Sequence, residues 1–315
     1  MTVLSFRDGR PSDLRLTFEL GEHAGDTARV ERNLLPADHE RDPAALEAQW
    51  RRERPLLEFI DAQSEGRYVI GEDRDQIAGY ARVARFGAMD ELTELWVAPP
   101  HAGRGVGRAL LERCWPDSPT PDLGRVVLSL GMPADLSLFV EFGAMPVSGH
   151  WHLGQRTEEY LEHRSQEVDA SEPAVHALTA DRAVGEWKRL EPPAIGHERP
   201  LLHDFFGRTR TCLAIMDADG SGAVALCWVS SEAEIGPAVA RSTEDLVPVV
   251  LAALDRVATV QEPEDLGIFC TTDSWWLLDR LRRLGFRVQW PSWVMCSVPL
   301  PGLDRYVPTR PSRLL

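Results

Sequence analysis

The chain has 315 residues, 43% of them hydrophobic, and a formal net charge of −15. That length accommodates two domains, each with a sizeable core. A chain this acidic is not built to hold nucleic acid non-specifically, because such binding depends on neutralising phosphates.

In chain order, Pro11 with Ser12 or Asp13 predicts the start of an early helix. Asp42-Pro43 opens a longer helix running to about Phe59, since proline suits the first helical position and aspartate the cap before it. Tyr68–Gly71 and Ile77–Val83 read as strands around a turn at 72–76. An apolar run from Leu92 to Val97 then stops at Pro99-Pro100. Glycines follow at 103, 105 and 107, and a helical pattern begins with Ala109, Leu110 and Leu111. A buried-type strand is expected at Arg125–Leu130. The helix after it ends at Phe142-Gly143, where glycine suits a left-handed stop. A strand around Trp151–Leu153 closes the unit.

The second half repeats this order. Strands are expected at Cys212–Met216, Ala223–Val229 and Leu266–Thr271, with a turn at Asp217–Gly222. Helices are expected at Thr243–Thr259 and at Trp275–Leu284, the second ending in Gly285-Phe286. A last strand covers Trp293–Met295. Gly143 to Gly285 and Trp151 to Trp293 are both 142 apart, and Leu95 to Ile235 is 140 apart. Two copies of one α/β unit are therefore expected: residues 1–155, a polar linker at 156–173, and residues 174–315.

A strand, a tight glycine turn and a helix N-terminus in succession form an anion cradle. Backbone N–H groups converge on a phosphate only where no Cβ intrudes, and the helix dipole adds partial positive charge. The P-loop of nucleoside triphosphatases needs a lysine after its last glycine, and the only lysine in the chain is Lys188. A dinucleotide fingerprint needs Gly-x-Gly-x-x-Gly, and the spacing here is Gly-x-Gly-x-Gly.

Residues 97–111 instead resemble motif A of the GNAT acyltransferases, roughly Val-x-Pro-x-x-(Arg/Gln)-Gly-x-Gly-x-Gly/Ala followed by a helix. The resemblance implies an α/β fold (an α+β mixed sheet), here as two tandem acyl-CoA N-acyltransferase-type domains. Each would run β–α–α–β–β–β–α–β–α–β. It also implies that Ala102, Gly103, Arg104, Gly105, Val106, Gly107 and Arg108 hold the pyrophosphate of acetyl-CoA. Leu95, Trp96 and Val97 would meet the pantetheine through main-chain atoms. Ala102 departs from the pattern, leaving Arg104 and Arg108 as candidate phosphate partners. The second copy has Arg241-Ser242-Thr243-Glu244-Asp245 in place of the glycines, so only the first copy is expected to bind CoA.

Acetyl transfer to an amine needs a neutral, positioned nucleophile, a group to take its proton, and a departing thiolate. The resemblance implies a carboxylate base, and Glu91 and Glu94 are the candidates. Strand alternation puts them on opposite faces unless a bulge intervenes. The family's usual tyrosine, four residues before the Gly-Phe stop, falls on Phe139 in copy one and Leu281 in copy two, and neither donates a proton. The acidic residues Glu31, Asp38, Glu40 and Asp42 border the expected acceptor side and would attract an ammonium group. The resulting expectation is acetyl-CoA-dependent N-acetylation of a small-molecule amine. The alternative is a non-catalytic acyl-CoA-binding module.

The five cysteines are scattered without a Cys-x-x-Cys and read as buried free thiols in a reducing cytoplasm. No set of residues has zinc spacing, so no metal is expected. The first residues lack a signal-peptide apolar core, and no run approaches the roughly 18 apolar residues of a membrane span. A cytoplasmic protein with no membrane or nucleic-acid partner is expected, with an oligomer compatible with the composition. The excess of arginine over lysine suggests a GC-rich bacterial genome.

Overall fold

The computed structural model describes residues 4–315 except 63–64, 75, 117–118, 121 and 167–172. Two compact units emerge: residues 1–85, 89–125 and 137–143 form the first, and 86–88, 126–136 and 144–315 form the second.

The first unit carries β1 (Leu4–Asp8), α1 (Leu14–Glu31), α2 (Pro43–Asp61), β2 (Arg67–Asp73), β3 (Gln76–Phe86), β4 (Met89–Val97) and α3 (Val106–Cys114). Its strands run in the order β1-β2-β3-β4. Asp13 precedes α1 with its carboxylate held by Arg7 and the Arg10 amide, and Leu14, Thr17, Phe18, Gly21, Ala24 and Gly25 form the buried stripe expected of a helix lying on a sheet. Asp42 caps α2 by accepting from the Ala44 amide at 3.0 Å, with Pro43 at the first helical position as the sequence predicts. The two faces of β3 meet different helices. Tyr80 points at α1, where a Cβ on Gly21 would stand 2.5 Å from the Tyr80 hydroxyl. Gly79, its neighbour, faces Val106 and Leu110 of α3. Helices thus cover both faces, as in the α/β class expected.

The second unit begins with most of β5 (Gly124–Ser129), the start of α4 (Pro133–Glu141), β6 (Met145–Arg156) and α5 (Thr157–Gln166). It continues through β7 (Val175–Leu178), α6 (Ala180–Leu190), the short turn α7 (Pro192–Ile195), α8 (Pro200–Thr209), β8 (Arg210–Met216), β9 (Ala223–Ser230) and β10 (Ile235–Ala240). It ends with α9 (Thr243–Arg256), β11 (Asp265–Thr271), α10 (Trp275–Arg283), β12 (Arg287–Cys296) and β13 (Tyr306–Val307). One set of strands runs β5-β12-β6-β11, the other β13-β10-β9-β8-β7. The core is apolar: Val249, Val250, Ala253 and Leu254 of α9 pack with residues of β9, β10 and β11.

The closing strands of the two repeats have exchanged places. β6 pairs with β11 and β12, while β12 pairs with β5. His150 sits opposite Ser292, its own equivalent 142 residues on, flanked by Gly149–Trp293 and Trp151–Pro291. The β6–β12 pairing is therefore locally symmetric about the His150–Ser292 pair. There the His150 Nδ1 lies 2.8 Å from the Ser292 hydroxyl, and its ring stacks on Phe269 at 4.5 Å. Burial pushes this imidazole down to about 3, so it is neutral.

A boundary at 155 falls at the end of β6, yet β6 groups with the second unit because both its neighbours come from the second repeat. Part of the expected linker is helical. Residues 157–166 form α5, tied down by buried Tyr160, whose hydroxyl donates to Asp255 at 2.6 Å, and by Arg164, which grips the same carboxylate. Residues 167–172 lie outside the described residues.

Candidate functional site

Beyond β4, a 3₁₀ turn at Pro99–His101 delivers the chain to Gly103 and Gly105, with φ of +71° and +81°. Side chains rarely adopt this left-handed backbone, and Gly105 is the N-cap of α3. A Cβ added at either position would meet nothing within 4 Å, so the loop opens onto free space. Gly107 differs: it lies inside the helix, and a Cβ there would make ordinary contacts with Leu138 and Val97.

The amides around this turn are unspent. The Ala109 N–H closes the first helical turn on the Gly105 carbonyl at 3.0 Å. The N–H groups of Gly103, Gly105, Val106, Gly107 and Arg108 have no acceptor among the described residues. Donors clustered at a helix N-terminus make an anion site. Of the two arginines, Arg108 is engaged by Glu141, whereas Arg104 is exposed and its guanidinium has no partner among the described residues. His101 stands 3.9 Å from Asp73.

The carboxylates of β4 are both buried, Glu91 at 2% exposure and Glu94 at 4%. A solvent-facing role is thereby excluded for either. Glu94 accepts from the Tyr80 hydroxyl at 2.9 Å and lies 3.3 Å from the Arg82 guanidinium. Arg82 in turn sits 4.2 Å over the ring of Tyr68, whose hydroxyl is 2.7 Å from that of Thr17. Glu94 is thus one member of a buried polar array beneath α1. Trp96 shares this face, with its indole against Gly21 and Gly25, so its bulk is directed away from Val97 and Gly107. An unbroken strand puts Glu91 on the other face. Phe139, at the expected tyrosine position, is buried. In the acidic stretch before α2, Asp42 is spent as a cap, while the adjacent Arg41 bridges Glu22 and Asp26 of α1.

The second repeat has neither the loop nor an open strand edge. Ser242 caps α9 by accepting from the Asp245 amide at 3.2 Å and donates to the Asp245 carboxylate. This helix N-terminus is therefore self-satisfied and acidic. β10, the counterpart of the Leu95–Val97 segment, pairs with β13 through Ala238–Val307 and Val239–Tyr306. Beyond it, Arg210 donates to the carbonyls of Gly236 and Arg310, and Arg310 donates to Gly267 of β11. Arg199, Tyr306 and Thr309 all donate to the Leu315 main-chain oxygen. Nothing in the local pattern of residues 306–315 signals this docking.

Among the described residues no cluster of His, Cys, Asp and Glu could hold a metal ion, and no helix is long and apolar enough to cross a membrane. All five cysteines are buried and free.

Comparison with known proteins adds to this geometry. Residues 32–130 match the model of the acetyltransferase (GNAT) family. A mycothiol acetyltransferase of Sanguibacter keddieii is 32% identical over 134 residues, a region that spans 41% of this chain and 40% of that protein. Among solved structures, a putative acetyltransferase from Pyrococcus horikoshii superposes with a TM-score of 0.69 at 14% identity, over 97% of this chain and 94% of the other. A tandem GNAT protein from the clavulanic acid biosynthesis pathway gives 0.57 at 13% identity, over 94% and 99%. These structural likenesses speak for the fold.

Proposed function

The chain belongs to the GNAT acetyltransferase family, and from that premise we propose that it transfers an acetyl group from acetyl-CoA to a small-molecule amine in the cytoplasm. The observation that carries the proposal is the row of partnerless amides at Gly103, Gly105, Val106, Gly107 and Arg108. They suit a pyrophosphate, with Arg104 as the adjoining cation. Leu95, Trp96 and Val97 present main-chain groups to the pantetheine.

Of the two carboxylates, Glu91 is assigned the base. Glu94 already accepts from Tyr80 and faces Arg82, so its carboxylate is committed inside the fold. It positions the array beneath α1. The amine attacks the thioester carbonyl, its proton passes to Glu91, and the C–S bond breaks to release CoA thiolate. With Phe139 at the usual donor position, solvent protonates the thiolate. The second repeat serves as a scaffold.

The absence of a proton donor at Phe139 favours a second reading, an acyl-CoA-binding module without turnover. One assay separates them: incubate the protein with acetyl-CoA and a panel of amines, aminoglycosides and amino acids, and follow thiol release. Acceptor-dependent release supports the transferase. Saturable CoA binding with no release on any acceptor supports the module.

A further inference from the structure

A hollow of about 450 Å³ opens in the second unit at the β6–β11–β12 ladder, far in sequence from the glycine turn. Its floor is made by two glycines paired across the ladder, Gly154 and Gly267. A Cβ at Gly154 would stand 2.8 Å from the Gln289 amide, and one at Gly267 would stand 2.5 Å from the Arg310 guanidinium and 2.8 Å from the His152 ring. Glycine at both positions is what lets those side chains lie down on the sheet. One wall is aromatic: Trp290 stacks on His152 with centroids 4.1 Å apart.

Three polar side chains on the rim have no partner among the described residues: the Arg287 guanidinium, the Gln289 carboxamide and the Glu159 carboxylate. The other charges are accounted for. Arg156 pairs with Glu264 and stands 3.8 Å from Asp265, and Arg310 donates to Gly267. What remains is one cation that matches a carboxylate bidentately, one anion that matches an ammonium, an amide, and a flat apolar wall.

We infer that this hollow binds a free α-amino acid with an aromatic side chain. Its carboxylate meets Arg287, its ammonium meets Glu159, and its ring lies against Trp290. Neither residue alone selects such a ligand; the coincidence of both charges with the aromatic wall does.

The test is calorimetric titration of the full chain, without acyl donor, using L-phenylalanine, 3-phenylpropanoate and 2-phenylethylamine. These are the zwitterion and its two singly charged analogues. The expected result is saturable binding of phenylalanine, at least tenfold tighter than either analogue. Arg287→Ala should erase the preference over phenylethylamine, and Glu159→Gln the preference over phenylpropanoate. Both residues are exposed and unpartnered, so the variants fold; thermal melting at the wild-type temperature verifies it. No saturable binding of phenylalanine, equal affinity for the three compounds, or binding unchanged in Arg287→Ala would overturn the inference. Because no acyl donor is present, the outcome is independent of the transferase reading.

Discussion

Replacing Gly105 by alanine isolates the contribution of the turn from that of its sequence. At φ +81° an alanine carries about 1–2 kcal/mol of backbone strain. Nothing lies within 4 Å of the added Cβ, so no steric cost joins it. The chain relieves the strain by rotating the Gly105 and Val106 amides out of line. A hydrogen bond to a charged group contributes about 1.5–3 kcal/mol, so losing one raises the dissociation constant of CoA by roughly ten- to a hundredfold. Gly107→Ala is the matched control. Its φ is not positive, its Cβ makes ordinary contacts, and alanine favours a helix by about 1 kcal/mol over glycine. Calorimetry with CoA on both variants, with thermal melts alongside, gives the answer. If Gly105→Ala and Gly107→Ala bind CoA equally, the left-handed turn is not what aims the donors, and the cradle argument fails.

Four further outcomes are expected. Glu91→Gln should lower kcat by about a hundredfold or more, the size of a general-base contribution. Glu94→Gln should instead destabilise the fold by about 3 kcal/mol, because it strands buried Arg82; steady-state kinetics and urea unfolding on both variants separate these roles. Arg199→Met should cost about 3–5 kcal/mol in chemical denaturation, since Glu191 is fully buried against Arg199 and His203, which hold its carboxyl down to about 2. That depressed carboxyl stabilises the fold above its ordinary value of 4.5, and its contribution is lost as pH falls through about 2. His150, ordinarily at 6.5 and held neutral at about 3, gives its full stabilisation above 6.5. Stability should therefore fall by about 1.4 kcal/mol per pH unit between those values. Denaturant midpoints from pH 7 to 4 for wild type and His150→Gln check this, and an unchanged slope in the variant would refute it.

The parts legible in the sequence are those whose cause is local. Gly103 and Gly105 announce a backbone that other residues avoid, and Asp42-Pro43 announces a helix start through a cap and a missing donor. The parity of Glu91 and Glu94 separated their faces, but only the positions of Tyr80 and Arg82 reveal that Glu94 is already engaged. The exchange of β6 and β12 left no mark, because each strand carries the same alternation whichever sheet receives it. The helix α5 was hidden for a related reason. It has little amphipathic character of its own and is held by two side chains, Tyr160 and Arg164, converging on the distant Asp255.

The strand exchange dictates an order of events at synthesis. Both neighbours of β6 lie between residues 265 and 296, and β5 waits for β12 as well. At translation rates of about 5–20 residues per second, the first repeat's closing strand stays unpaired for on the order of 10 s after it is made. Met145–Arg156 is therefore a nascent, aggregation-prone edge until nearly the whole chain has emerged. No ribosomal stall or truncation between the repeats can release a finished first half.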